Sequence, residues 1–364
     1  MVTDRTERSV ALRFDASAEQ GGGAIVFRVT FDGAAKIVLE EEAQSAPASS
    51  RWNKSTIAFR LATDEHFFGL GERYATFDHR GRSLYSWAEE AGLGKGEDAP
   101  VGPANPSPNG PSMTYFPIPF FHSTAGYAMH VDTPARSEVH FGSEDPSTSR
   151  VAVNAERMRI VLYVGEPSAN LEAFTKDTGR AFVPAPWAFG PRRRVNVSAQ
   201  VGGVPEIELM RTRKVPVTTV DDTQHFRPAN DTLDLATLKK WTDTLHAWGY
   251  KATAYNNPYV AANQPSAAAD FQAGLDAHYF VTDESGKPGV VTFVSGKLQE
   301  VAAIDFTAPG AEAWFGTLLR RTLDAGYDGT MLDFGEYTST IFACTRGRAT
   351  WRSPRRSPRC RSCS

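Results

Sequence analysis

Two carboxylates stand three residues apart near residue 335. Asp333 and Glu336 lie in the segment Met-Leu-Asp-Phe-Gly-Glu-Tyr at 331–337, where a short apolar run ends. Paired carboxylates can attack or protonate a glycosidic bond, and retaining glycosidases hold them about 5–5.5 Å apart across that bond. Neighbours on one short segment rarely face each other across a substrate, so one would be the nucleophile and the other a support. From spacing alone, two loop carboxylates without a chemical role are the simpler interpretation.

A second group of polar residues follows another apolar run. Asp221, Asp222 and His225 lie in Asp-Asp-Thr-Gln-His at 221–225, and Asn256 ends a later run. Carboxylates readily accept hydrogen bonds from sugar hydroxyls, so these residues are candidates for substrate binding. A solvated turn or a calcium site is the alternative. Calcium is disfavoured because it takes about six to eight oxygen ligands and the sequence has no Asp-x-Asp-x-Asp-Gly loop.

These polar residues follow segments that alternate between strand and helix patterns. Residues 215–220, 251–256 and 329–333 are short apolar runs of the kind that form buried strands. Between them, Asp234 can cap a helix with one apolar face, and a second helix is predicted over about 311–325. Strand–helix–strand units at this spacing give parallel strands with a right-handed crossover. A (β/α)8 barrel and a doubly wound sheet both fit this pattern, and both place ligands at the carboxyl ends of the strands.

The first 183 residues predict a different architecture. Short alternating apolar runs recur there, each bounded by Gly, Asp, Ser or Pro, at 10–14, 24–31, 35–39, 127–131 and 158–164. Repeated short strands with such turns indicate an antiparallel β-sandwich. The stretch 92–112, rich in Gly, Pro, Asn and Ser, predicts a long exposed loop.

Charge and cysteine are unevenly distributed. Residues 344–364 hold seven arginines, no acid and all three cysteines, which leaves 32 basic and 42 acidic residues in 1–343. An acidic body argues against nucleic acid as a partner, because phosphate binding needs clustered Lys and Arg. The tail fits a basic disordered segment, a Cys-rich metal tract or out-of-frame translation after about residue 342. We favour the last, because the change in composition interrupts a βα unit.

Several reaction and location classes lack their signatures. The sequence has no Gly-x-Ser-x-Gly elbow, no His-Glu-x-x-His and no cysteine in its first 343 residues, which disfavours serine, zinc-dependent and cysteine chemistry. We therefore expect neither a metal nor an organic cofactor. The polar start and the absence of any run of roughly 18 apolar residues predict a cytoplasmic protein with no membrane partner.

Several motifs, taken in order, resemble glycoside hydrolase family 31. They are Phe-Phe-Gly-Leu-Gly-Glu-Arg-Tyr at 67–74, Tyr-Phe-Pro-Ile-Pro-Phe-Phe at 115–121, Pro-Ala-Pro-Trp-Ala-Phe-Gly at 184–190, Ile-Asp-Phe-Thr-Ala-Pro-Gly at 304–310 and Met-Leu-Asp-Phe-Gly-Glu at 331–336. The resemblance covers about 65 to 337. It implies a multi-domain β plus α/β protein: a galactose-mutarotase-like β-sandwich at 1–183, the first half of a (β/α)8 barrel at 184–343, and the tail at 344–364.

The same resemblance implies roles for individual residues. Asp333 would be the nucleophile that forms a covalent glycosyl-enzyme, Glu336 would support it, and Asp222 would bind substrate hydroxyls. The implied reaction is hydrolysis of an α-glycoside with retention. The family's acid/base aspartate belongs to a later barrel segment, so we expect this chain alone to be inactive or poorly folded.

The substrate and the class of protein stay open at this level. The motifs at 333–337 and 254–261 are similar to the sulfoquinovosidase-like branch, but the segment after Val220 lacks that branch's Gln-Asp-Trp and an Arg-x-x-Trp pair of the kind that would hold a sulfonate. A neutral α-hexoside or an α-xyloside fits as well. The alternatives to an enzyme are a non-catalytic carbohydrate-binding β-sandwich protein and a nucleic-acid binder that uses the basic tail.

Overall fold

The computed structural model describes residues 1–17, 22–44, 52–74, 76–86, 114, 116–222, 235–283, 285–295 and 297–332, without the side chains of 293–299. The chain divides between residues 181 and 182 into two compact units. The loop expected at 92–112 and the tail at 344–364 lie outside the described residues. Within the described part, no helix has the length and apolar character needed to cross a membrane.

The first unit is built almost wholly from antiparallel strands. Its elements are β1 Val2–Arg5, β2 Ser9–Asp15, β3 Ala24–Phe31, β4 Lys36–Gln44, β5 Ser55–Arg60, β6 Phe67–Gly69, β7 Ser83–Ser86, β8 Phe120–Ser123, β9 Tyr127–Val131, β10 Ser137–Asp145, β11 Thr148–Val153, β12 Arg157–Val164 and α1 Pro167–Thr178. Eight strands form one sheet in the order β1-β2-β3-β4-β12-β9-β8-β6, and four form a second in the order β5-β11-β10-β7.

The two sheets pack face to face around one apolar core. Met129 and Ile160 come from the large sheet, and Val139, Phe141 and Val151 come from the small one. The other face of the large sheet is covered by α1, where Phe174 stacks on Phe120 with ring centroids 4.2 Å apart. The predicted β-sandwich is confirmed.

The second unit alternates strands and helices. Its elements are β13 Arg192–Val195, β14 Gln200–Val201, β15 Val204–Pro205, α2 Glu206–Thr212, β16 Thr219–Asp222, α3 Leu235–Ala247, β17 Lys251–Asn256, β18 Tyr259–Ala261, α4 Ala268–Asp276, β19 Val290–Ser295, β20 Lys297–Ala303, α5 Ala311–Asp324 and β21 Gly329–Leu332, with 3-10 turns at Pro186–Phe189 and Pro265–Ala267.

Four of these strands form a parallel sheet in the order β13-β16-β17-β21. These four strands lie side by side in the order in which they occur in the chain, with no reversal. A doubly wound sheet would reverse at a switch point, so the sequential order is that of a barrel wall. Buried side chains of α2 and α3, among them Met210 and Leu238, cover one face of this sheet.

One strand differs from its predicted position. Residues 215–220 were expected to form it, whereas β16 is Thr219–Asp222. Pro216 has no N–H to donate, and the ladder begins only where Thr219 lies opposite Arg192 of β13. Both aspartates are therefore strand residues and do not follow the strand.

Candidate active site

The predicted site residues lie at the carboxyl edge of the parallel sheet. Asp221 and Asp222 end β16, Asn256 ends β17, and Leu332 ends β21. Since Asn256 is the register partner of Leu332, the ends of β17 and β21 lie side by side. Three predicted residues, Asp333, Glu336 and His225, lie outside the described residues.

One face of the sheet is turned toward the helices. Val220 of β16 and both Ala252 and Ala254 of β17 belong to the core that α2 and α3 cover. Because side chains alternate along a strand, Asp222 and Asn256 share this face.

Asp222 is held inside this layer. Asp222 is only 4% exposed, and the Tyr327 hydroxyl donates a hydrogen bond to its Oδ2. Tyr327 is itself buried in the same core, directly before the segment that leads into β21. The structure therefore connects the end of β16 with the approach to β21 through a buried hydrogen bond.

Asn256 is likewise enclosed by protein groups. It has no exposed surface, its Nδ2 lies 3.4 Å from Oγ1 of Thr322 on α5, and the Thr330 hydroxyl donates to its Oδ1. Two neighbouring elements, α5 and β21, thus fix its amide.

Asp221 lies on the opposite face. Its register partner is Thr253, and Tyr255 and Met331 continue this face toward the carboxyl edge. Its side chain is 20% exposed, the most exposed of the three described candidates that sequence reasoning named. In a barrel, the face turned away from the helices is the interior.

The carboxylate of Asp221 is fixed by both neighbouring strands. Arg192 of β13 donates from Nε at 3.2 Å and from Nη2 at 3.0 Å to Oδ1. The Thr253 hydroxyl, from β17, donates to the same oxygen. Among the described residues, none donates a hydrogen bond to Oδ2.

Sequence reasoning missed Arg192, Thr253 and Tyr327. The three arginines at 192–194 were a visible signal, because a charged run inside a strand of a parallel sheet needs partners. Thr253 and Tyr327 gave no such signal, since their roles follow from the register and from contacts 32 and 105 residues apart.

The amino edge of the same sheet carries a different cluster. Asp328 accepts hydrogen bonds from Lys251 Nζ at 2.7 Å, from the backbone N–H of Ala252 at 3.0 Å and from His246 Nε2 at 2.7 Å. Burial alone would raise the pKa of Asp328, but these donors outweigh it and lower the pKa below its usual value. Ion pairs at this edge stabilise the fold, whereas chemistry belongs to the other edge.

No cluster of three or more His, Cys, Asp or Glu side chains suited to a metal ion occurs in the part of the chain that the structure describes. Asp221 accepts hydrogen bonds from an arginine and a threonine, and the partners of Asp222 include a tyrosine hydroxyl.

Comparison with known families places both units. Residues 19–140 match the N-terminal galactose-mutarotase-like domain of glycosyl hydrolase family 31, and residues 181–359 match the TIM-barrel domain of the same family. The two matches follow each other in the chain as the two units do. The chain belongs to glycoside hydrolase family 31. The predicted fold, a galactose-mutarotase-like sandwich followed by part of a TIM barrel, is confirmed.

The named relatives of the chain carry several specificities in their names. Similar proteins include the α-xylosidase XylQ of Lactiplantibacillus pentosus, 24% identical over 333 residues, and a sulfoquinovosidase of Agrobacterium fabrum, 28% identical over 296 residues. The alignments cover 85% and 76% of this chain but 40% and 43% of the relatives. The chain thus spans about two-fifths of the length of these relatives.

Solved structures of other proteins agree in fold. A sulfoquinovosidase from E. rectale, in complex with an aza-sugar inhibitor, superposes with a TM-score of 0.76 at 23% identity, covering 95% of this chain and 52% of that one. The cycloalternan-forming enzyme of Listeria monocytogenes gives a TM-score of 0.73 at 16% identity, covering 95% and 40%. At these identities the likeness concerns the fold.

Proposed function

We propose that this chain supplies the nucleophile-bearing part of a retaining α-glycoside hydrolase, with Asp333 as the nucleophile. The observation that carries the proposal is the position of β21 as the fourth consecutive parallel strand of a family 31 barrel. That strand ends at Leu332, the residue before Asp333, beside the end of β17. Catalytic groups of such barrels come from the carboxyl ends of the strands.

Alternation along β21 supports the assignment. Met331 lies on the face shared by Asp221 and Tyr255, and Asp333 is two positions later in the sequence. A side chain two residues on along a strand is expected on the same face. Asp333 would then face the barrel interior together with Asp221.

The proposed reaction follows from the carboxylate. An oxygen of Asp333 bonds to the anomeric carbon of an α-glycoside while the bond from that carbon to the leaving-group oxygen breaks, and the leaving oxygen takes a proton from a carboxylic acid. Water then hydrolyses the glycosyl ester. Glu336 is proposed to support Asp333, and Asp221, Asp222, His225 and Asn256 to shape the sugar site.

Hydrolysis of an ordinary α-glycoside also needs a group that protonates the leaving oxygen. The family resemblance assigns the acid/base to a later barrel segment. The chain aligns with about two-fifths of the length of each of the two relatives named above. The test of the nucleophile therefore uses a substrate that does not depend on that proton donor. An activated substrate whose leaving group needs no proton still requires the nucleophile.

Covalent trapping tests the nucleophile directly. The chain is incubated with 5-fluoro-α-D-glucosyl fluoride or the xylosyl analogue, and its intact mass is measured, followed by peptide mapping. We expect one glycosyl unit on the peptide that holds Asp333, none on Asp333→Asn, and unchanged labelling of the exposed helix variant Asp324→Asn. Labelling of a folded Asp333→Asn at the parental rate would refute the assignment. A chain that binds sugar but is never labelled would instead be a carbohydrate-binding protein.

A further inference from the structure

We propose that Asn256 and Thr330 are positioning residues that fix the register of β21 and so direct the side chain of Asp333 to the barrel interior. This inference rests on the proposed function, because it assigns the groups that orient the proposed nucleophile. It also specifies how Asn256 shapes the site, which is by holding a strand and not by contact with the sugar.

The apolar pattern of β21 does not select a register by itself. The strand has four residues, Gly329–Leu332, and among the described residues it pairs with β17 alone. Met331 lies on the interior face and is half-buried, whereas Leu332 shares the face of Asn256 and is exposed. Each face thus carries one apolar side chain, and neither is fully buried. Since short strands with similar faces slip easily, another interaction has to distinguish the two faces.

A shift of one residue would reverse the orientation of β21. Side chains alternate along a strand, so such a slip moves every side chain to the other face of the sheet. Asp333 is expected on the interior face because it stands two positions after Met331. After the slip it would turn toward the helices, away from the face of Tyr255. The register of β21 therefore decides whether the proposed nucleophile faces the sugar.

A polar contact on the helix-covered face distinguishes the two registers. The Thr330 hydroxyl donates a hydrogen bond to Oδ1 of Asn256, which has no exposed surface. In a slipped strand, Gly329 or Met331 would take the place of Thr330, and neither of these residues has a side-chain donor. Because a buried acceptor that loses a donor destabilises the structure, this pair favours the observed register.

Asn256 is itself held by the helix that precedes β21. Its Nδ2 lies 3.4 Å from Oγ1 of Thr322, which is 1% exposed on α5. With its Nδ2 directed to α5, the amide presents Oδ1 to β21. Asn256 thereby relates the position of β21 to both β17 and α5, and the acceptor for Thr330 is in place before the strand pairs.

Thr330→Val tests the pair with little change of shape, because valine replaces the hydroxyl with a methyl group. Thr330→Ser is the rescue variant, since serine keeps the hydroxyl. The matched control is Thr292→Val, at an exposed position of β19 in the same unit. Near-ultraviolet circular dichroism checks that each 364-residue variant is folded.

Two measurements do not depend on catalysis. Hydrogen exchange followed by mass spectrometry reports local opening of β21. The nuclear Overhauser effect between the Met331 methyl group and the ring of Tyr255, its register partner, reports the register. A third measurement, the concentration dependence of labelling by the fluoride reagents, gives the inactivation constants KI and kinact.

Thr330→Val should increase the opening of β21 by about threefold to tenfold, the equivalent of one hydrogen bond, and weaken the effect between Met331 and Tyr255. It should lower kinact by about threefold or more and leave KI within about twofold of the parent, because the nucleophile is displaced while the sugar contacts remain. Thr330→Ser should return all three readouts toward the parent, and Thr292→Val should leave them unchanged.

The outcomes separate the two claims. If Thr330→Val keeps the hydrogen exchange and the Met331–Tyr255 effect of the parent, the register role is overturned, whatever the labelling shows. If β21 opens or slips but kinact does not fall in a chain whose parent is labelled, the positioning of the nucleophile is overturned and the proposed function stands. If the folded parent is never labelled, the proposed function is overturned, while hydrogen exchange and the Met331–Tyr255 effect still decide the register role.

Discussion

Replacing Asp328 with asparagine tests the ion-pair cluster at the amino edge of the parallel sheet. The carboxylate joins Lys251 and Ala252 at the start of β17 to His246 near the end of α3, and its side chain is 17% exposed. Asparagine keeps the shape and one acceptor oxygen but removes the charge. It also places an amide N–H₂ where Lys251 or His246 now donates.

The magnitude follows from the three hydrogen bonds. A hydrogen bond to a charged group contributes about 1.5–3 kcal/mol, but Lys251 and His246 are partly exposed, so solvent screening reduces their share to about 0.5–1 kcal/mol each. The backbone N–H of Ala252 adds about 1 kcal/mol, part of which asparagine retains. Asp328→Asn should therefore lower the free energy of unfolding of the second unit by about 2 kcal/mol at neutral pH.

Urea unfolding provides the measurement. It is followed by tryptophan fluorescence in a background in which Trp52 and Trp87 of the first unit are replaced by Phe, so that the signal comes from the second unit, which holds Trp187, Trp241, Trp248 and Trp314. Hydrogen exchange at the Ala252 amide gives a local check, since that N–H is bonded to the carboxylate. The matched control is Asp243→Asn, which removes an exposed pair with Lys239 and should cost less than about 0.5 kcal/mol.

The pH dependence has a defined sign. Because the donors hold the pKa of Asp328 below its usual value, its stabilising contribution is complete above the unfolded pKa of about 3.9 and is lost as pH falls through the folded pKa. The gap between parent and Asp328→Asn should close as the pH falls below about 4. A gap absent at pH 7, or one that persists unchanged well below pH 4, would refute the reasoning.

Two further substitutions test packing and pairing elsewhere, both by urea unfolding. Gly71→Ala should lower the free energy of unfolding by more than about 2 kcal/mol, because at φ +82° a Cβ would lie 2.0 Å from the Phe116 carbonyl oxygen. The control Gly33→Ala, at φ +78° with nothing within 4 Å, should lower it by only about 1 kcal/mol through backbone strain. Equal losses in the two variants would contradict the steric argument. Arg321→Gln should cost about 2 kcal/mol, since it removes both N–H donors, at 2.7 and 2.8 Å, from the buried Asp270 carboxylate, and a cost below about 0.5 kcal/mol would show that the pair is screened.

Much of the fold could be predicted from local patterns. The runs at 24–31, 127–131 and 251–256 coincide with β3, β9 and β17. In each of them the local pattern of apolar residues, alternating or continuous, is enough to indicate a strand. The helix expected from about 311 to 325 is α5, Ala311–Asp324. Sequence patterns failed at 215–220, where apolar character favours a strand but Pro216 and pairing with β13 delay it to Thr219.

The candidate site was predictable in composition and not in geometry. Sequence reasoning named Asp221, Asp222 and Asn256, and all three end strands at the carboxyl edge. It could not separate their surroundings, because these depend on the register of β16 and on partners 29 to 105 residues away, such as Arg192 and Tyr327. The roles of Asp333, Glu336 and His225 stay predictions.

The two adjacent acids at the end of β16, Asp221 and Asp222, have different structural surroundings. A strand places successive side chains on opposite faces, so a pair of acids puts one carboxylate toward the barrel interior and one among the helices. The inward acid is held by β13 and β17, the two strands that pair with β16. The outward acid is held by Tyr327, six residues before Asp333 in the chain. The bond from Tyr327 therefore links the end of β16 to the residues that lead into β21.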